Sequence, residues 1–185
     1  GLSDALSAIC DEVFEDAPRI LNELLNRKAL STPAAAARMR LIEGVLDSAE
    51  QPLFGIDAQK APPEKSMFLS VIQAGGLQTL QDDILTLALP EEGQDPLNLR
   101  PALIEISRML DAGLGDKVNV QTILRELEKA PLGVRAGVAP LLLAIVMRIR
   151  RHELAIYENG TFRSTFGGAD FVRLTKGPQT FELQV

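Results

Sequence analysis

A chain of 185 residues, 46% hydrophobic and 24% charged, is long enough to close one large core or two small ones and too apolar to remain disordered. Seven Phe, one Tyr and no Trp leave that core to Leu, Ile, Val and Ala, which favours helix packing over an aromatic-rich β-sandwich. The single cysteine, Cys10, excludes an internal disulfide and a cysteine zinc cluster, and the net charge of −6 disfavours nucleic acid as a partner of the whole chain.

The charge is uneven. Residues 1–116 carry nine Lys and Arg against nineteen Asp and Glu, whereas residues 117–185 carry ten against six. The start, Gly1-Leu2-Ser3-Asp4, has no Met and reads as an internal stretch of a longer protein. One cysteine, with neither a charged-then-apolar leader nor a lipidation signal, makes a cytoplasmic setting the expectation.

Residues 3–29 predict one or two helices: Leu6, Ile9 and Val13, then Ile20, Leu21, Leu24 and Leu25, recur at three- and four-residue steps, broken at Asp16-Ala17-Pro18. Ser31-Thr32-Pro33 is a start signal, a hydroxyl cap with Pro in the first turn, for an alanine-rich helix through Leu46. Residues 50–63, interrupted by Pro52, Gly55, Pro62 and Pro63, read as a connector with a short extended piece at Leu53–Ile56. Pro62 and Pro63 open another predicted helix, through about Ala74 and ended by Gly75-Gly76, and residues 77–89 suggest a short helix around Leu80–Leu87. An acidic loop follows, then a helix from Leu99 to Ala112 with Leu103, Ile106, Met109 and Leu110 inward. Gly113–Lys117 is the candidate boundary between a helical domain, 1–116, and a second domain, 117–185.

In the second part, Val118–Val120 predicts a brief strand and Gln121–Lys129 a helix with Ile123, Leu124 and Leu127 on one side. Gly137–Glu153 is the most apolar run: no charge occurs from Val138 to Met147, so a helix here needs cover on nearly every face. Its ten or so apolar residues fall short of the ~20 that span a bilayer. Asn159-Gly160 between β-prone runs signals a hairpin, Gly168–Lys176 a helix, and Thr180–Val185 a third strand. Helix, turn, helix and hairpin is the order of a winged-helix unit, here with an extra helix and strand.

Few residues suggest catalysis. His152, the only histidine, lies in a basic last turn that suits the helix dipole. Gly-x-Ser-x-Gly and Gly-x-x-x-x-Gly-Lys-Ser/Thr are absent, and the pairs Asp82-Asp83 and Glu91-Glu92 lack the ligand spacing of a cation loop. No cofactor or metal is expected. Arg148, Arg151, Arg163 and Lys176 are the candidate phosphate contacts of a wing, although the helix between Gly137 and Glu153 is too apolar to read a major groove.

Three pieces carry a resemblance: Asn22-Glu23-Leu24-Leu25-Asn26-Arg27 with the alanine-rich helix; Pro131-Leu132-Gly133-Val134-Arg135 leading to Gly137-Val138-Ala139-Pro140-Leu141-Leu142-Leu143; and Leu154 to Phe162 followed by Phe181-Glu182-Leu183. Together they resemble the helical and winged-helix-like region inside very large bacterial P-loop ATPases, including those of BREX-type phage-defence islands. The likeness covers roughly residues 1–70 and 120–185. It implies that nucleotide hydrolysis belongs to another part of the full protein, since no phosphate-loop residue lies in this chain. The expectation is a mainly α, α+β chain: a helical bundle, then a winged-helix-like unit with a small antiparallel sheet. It would serve as a non-catalytic interaction or regulatory module that binds a protein partner or the remainder of its own chain. The alternative is a winged-helix DNA-binding module with weak, non-specific DNA contact.

Overall fold

A computed structural model describes residues 1–185. It has eight helices and two small antiparallel sheets, an α+β architecture, and no helix long and apolar enough to cross a membrane. The central element is the helix Ala139–Ile149, numbered α7 in chain order. Pro140 sits in its first turn, and every residue from Ala139 to Met147 is buried. Such a helix must be enclosed, and it packs against Thr32–Asp47 (α3), Arg100–Ala112 (α5) and Val120–Glu128 (α6).

Each of those helices has an identifiable start. The Ser31 hydroxyl accepts the Ala34 N–H at 3.3 Å ahead of α3, and Asn119 Oδ1 accepts the Gln121 N–H at 2.9 Å ahead of α6. At α5 the Asp95 carboxylate accepts the N–H groups of Leu99 and Arg100, at 2.9 and 2.8 Å. The inward residues follow the helical period: Ala37, Leu41 and Val45 in α3, Leu103, Ile106 and Leu110 in α5, and Val120, Ile123 and Leu127 in α6. One connected core runs across Gly113–Lys117, joining Ile42 and Leu103 to Ile123, Leu143 and Phe171.

The N-terminal stretch holds one regular helix, Leu2–Val13 (α1), and a single turn, Glu23–Asn26 (α2), capped by Asn22. None of α1 is buried, and Leu21 is exposed, so the periodic residues of this stretch do not form one inward face. Ile20 and Leu25 do reach the core.

Two local expectations are corrected. Leu53 and Phe54 are not extended: they form a 3-10 turn with φ of 53° and 52°. This left-handed backbone costs ~1–3 kcal/mol per residue, but it turns Phe54 into the core, where its ring meets Phe68 edge-on at 4.9 Å between centroids. Gly44 of α3 makes the room, since a Cβ there would stand 2.9 Å from that of Phe54. Residues 77–89 are a hairpin and not a helix: Gln78–Gln81 (β1) pairs with Ile84–Leu87 (β2) around Asp82-Asp83, both at positive φ. The leucines here suit a helix, yet only Leu77 and Leu87 are buried while Leu80 and Ile84 face solvent. The two-residue turn and the side-chain amide of Gln78, donating to the carbonyls of Ala49 and Gln51, hold the hairpin at its base.

Between these, Pro63–Met67 (α4) continues into a π-helical turn, Phe68–Gln73, burying Met67, Phe68, Val71 and Ile72. In the C-terminal part, Val118–Asn119 (β3), Ala155–Glu158 (β4), Thr161–Arg163 (β5) and Phe181–Gln184 (β6) form an antiparallel sheet ordered β3-β6-β4-β5. Asn159-Gly160 turns the β4–β5 hairpin, and Gly168–Lys176 (α8) packs on α3. Phe181 and Leu183 alternate inward along β6.

Replacing Leu142, fully buried in α7, by Asp should abolish cooperative folding. It removes ~1.5–3 kcal/mol of apolar burial and buries a charge. Thermal melts followed by circular dichroism check this; a cooperative transition close to the parent's would contradict it.

Candidate functional site

The last turn of α7, the end of α3 and the β4–β5 hairpin meet around a cavity of about 340 Å³. Met147, Leu154 and Phe166 supply apolar wall, and Phe162, 56% exposed, stands at its edge. Arg148, Arg151, Arg163, His152 and Ser164 supply the polar part, and no carboxylate lines it. Three of the four arginine and lysine candidates therefore come together. Lys176 does not line the cavity; it is exposed in the last turn of α8.

The three arginines are held differently. Arg148 is largely buried; its Nη1 donates to the Leu46 carbonyl at 2.7 Å, closing the C-terminal end of α3, and Nη2 lies 3.4 Å from Glu50. Burial, with Arg151 close by, pushes its pKa below the ordinary arginine value, although a guanidinium stays charged. Arg151 is more open: its Nη2 is 3.7 Å from the same Glu50, while Nη1 donates to the Arg148 carbonyl. Two guanidiniums thus share one carboxylate. Arg163 lies 3.9 Å from Glu158 and 3.8 Å from Asp170, both of which Arg173 holds more closely, at 2.8 and 2.9 Å. The hydrogen bond from Arg173 holds the Glu158 carboxyl below the usual range; for Asp170 the Gly167 N–H has the larger effect, with Arg173 adding to it. Arg150 turns away, to Asp111 and Glu153. The chemistry available is attraction of an anion beside an apolar surface.

A second surface escaped the sequence reading. Every residue from Leu2 to Glu15 is exposed, and Leu2, Leu6, Ile9 and Val13, at 79%, 54%, 56% and 47%, make an apolar stripe along α1 with nothing on it. Asp4, Asp11, Glu12, Glu15 and Asp16 are the charged side chains up to Pro18; no Lys or Arg precedes Arg19. The helix is moored only at its C-terminal end, where Phe14 covers Gly133 and Asp16 N–H donates to the Pro131 carbonyl at 3.2 Å. Gly133 has φ of 49°, and a Cβ there would lie 2.4 Å from the Phe14 ring, so glycine permits both the turn and the contact. The lack of any Lys or Arg before Arg19 was the available signal; that the stripe is unpartnered needed the tertiary structure.

A larger hollow, about 740 Å³, lies between the acidic loop and the start of α5; of its charged groups, Asp95 caps α5 and Arg100 donates to the Pro90 carbonyl, which leaves the carboxylate of Glu92. No group of three or more His, Cys, Asp or Glu side chains is placed to hold a metal ion.

The Arg173 cluster should be acid-sensitive. Because Glu158 and Asp170 have depressed folded-state pKa values, their contribution is complete above the ordinary carboxylate range, near pH ~4, and is lost as pH falls through their lower folded values. The melting temperature of Arg173→Ala should lie below the parent's at neutral pH, with the gap closing in acid. A gap independent of pH would show that the pairing contributes nothing. Comparison with protein-family models, curated proteins and solved structures finds no match, which leaves the functional reading to these two surfaces and to the resemblance in the sequence.

Proposed function

We propose that this chain is a non-catalytic interaction or regulatory module of a larger cytoplasmic bacterial protein, an ATPase of the phage-defence kind that the sequence resembles. The observation that carries the interaction reading is the unpartnered stripe of α1. Each of its large aliphatic side chains gains ~1.5–3 kcal/mol when fully covered, and a regular, acidic-faced helix presents them in one row. Contiguous apolar surface rimmed by charge is the form that protein-binding sites take. The chain's role is then to bring a partner surface, or another part of the full protein, against α1, with nucleotide chemistry carried elsewhere.

Hydrogen–deuterium exchange tests this directly. The α1 amides should exchange rapidly in the isolated 185-residue chain at a dilution that keeps it monomeric, and become protected in the full-length protein assembled with its partners. Equal exchange in both would remove the reading.

The second reading, a winged-helix DNA-binding module, draws on the order α6, α7 and β-hairpin, and on the convergence of Arg148, Arg151 and Arg163 on one cavity. Three observations weigh against it. The helix that would enter a groove, α7, is buried from Ala139 to Met147, and Arg163 already faces Glu158 and Asp170. β6 also lies between β3 and β4. DNA binding is expected to be weak, sequence-independent and salt-sensitive, with a log–log slope of roughly −0.9 per phosphate neutralised. Fluorescence anisotropy at near-physiological salt checks it; sequence-selective nanomolar binding would reverse the ranking.

A further inference from the structure

The stripe of α1 and the arginine-lined cavity are both apolar at the centre, one flanked by carboxylates alone and the other by arginines that are partly paired. On α1, Leu6 and Ile9 lie between carboxylates with no Lys or Arg nearby in sequence. At the far end of α7, Phe162 and the apolar wall of the cavity lie among Arg148, Arg151 and Arg163, with no carboxylate in the lining. We infer that α1 of one copy docks on the arginine-lined cavity of a second copy, head to tail, placing Leu6 and Ile9 against Phe162 and its neighbours and the helix carboxylates against Arg151, which shares Glu50 with Arg148. This rests on the reading of the chain as an interaction module and names the occupant.

Charge decides between the possible self-contacts. Pairing of α1 with α1 would bring Asp4, Asp11 and Glu12 together with their counterparts and supply no cation, so like charge opposes it. The cavity supplies cations that are only partly compensated, since Arg148 and Arg151 share Glu50. In the structure α1 does not reach the cavity of its own copy. Phe14 and Val138 line the hollow beneath α1 at the start of α7, whereas Arg148 and Arg151 lie at its other end. Eleven helical residues, ~1.5 Å each, separate the two ends, and α1 buries nothing on its own molecule. A contact between two different patches of identical chains repeats, forming a ring where the rotation closes and an open chain where it does not. The cavity is of ligand-pocket size and admits the side chains of the stripe while the helix itself lies across the mouth.

Sedimentation velocity over a concentration series, at low and at physiological salt, reads this out with the 185-residue chain. The parent should form dimers and larger species whose population falls with salt. Leu6→Asp with Ile9→Asp on one surface, and Phe162→Asp or Arg151→Glu on the other, should each weaken association roughly tenfold or more. All four positions are exposed, so parent-like melts are expected and are checked first. Mixing the α1 variant with the Phe162 variant leaves one intact contact per pair and should restore dimers but nothing larger. A parent that stays monomeric at low salt overturns the second copy as occupant, while protection of α1 in the full-length protein would still uphold the module. Association lost in the α1 variant but intact in both cavity variants would mean α1–α1 pairing and likewise overturn it. Association indifferent to the α1 variant, with α1 unprotected in the full-length protein, would remove both readings.

Discussion

Enclosure of α7 is the constraint on which the other elements depend. A helix with no charge from Val138 to Met147 has no face to offer water, so it must be surrounded, and α3, α5 and α6 supply three walls. Each wall needs only one apolar stripe, which is why those helices remain amphipathic. The chain on either side of Gly113–Lys117 contributes to the same core because neither side can bury α7 alone.

Enclosing α7 leaves carbonyls at helix ends and loops that water reaches poorly, and arginines meet several of them. Arg148 donates to the Leu46 carbonyl, Arg150 to that of Ser107, and Arg38 of α3 to that of Gly137, just before α7 begins. A long side chain with several donors can reach a buried carbonyl while keeping part of its charge near solvent. Arg38 carries this furthest: burial lowers its pKa, and its Nε has no acceptor. Part of the basic excess of residues 117–185 is therefore structural. Among the cavity arginines Arg151 is the least committed, since it shares the single carboxylate of Glu50 with Arg148.

The two exposed surfaces lie at opposite ends of α7 for the same reason that α7 is central. Its length separates the mooring of α1 at Gly133 from the cavity at Arg148 and Arg151, and its burial leaves neither end free to move toward the other. Held near the two ends of one buried helix, the two surfaces keep a fixed spacing, which the proposed module would use.

Much of the fold was legible in residues 1–185 because it depends on local signals. Ser31 with Pro33, the uncharged run in α7, Asn159-Gly160 and the alternation at Phe181 and Leu183 specify a cap, a buried helix, a turn and a strand through their own chemistry. Tertiary structure decided the rest. Residues 77–89 have leucines at positions that fit a helix, but the core accepts only Leu77 and Leu87, so the segment pairs as a hairpin. Phe54 takes a left-handed backbone with its ring against Phe68 and over Gly44, and neither partner is adjacent to it in sequence. The periodic stripe Leu2, Leu6, Ile9 and Val13 specifies a helix and an apolar face; whether that face meets a core depends on where the chain turns after Val13. The same holds for Arg148, Arg151, Arg163 and Lys176: the sequence determines their charge, and the packing of α7 against the hairpin decides that three of them line one cavity and the fourth does not. Periodicity fixes which side chains share a face, and only the folded chain determines what that face meets.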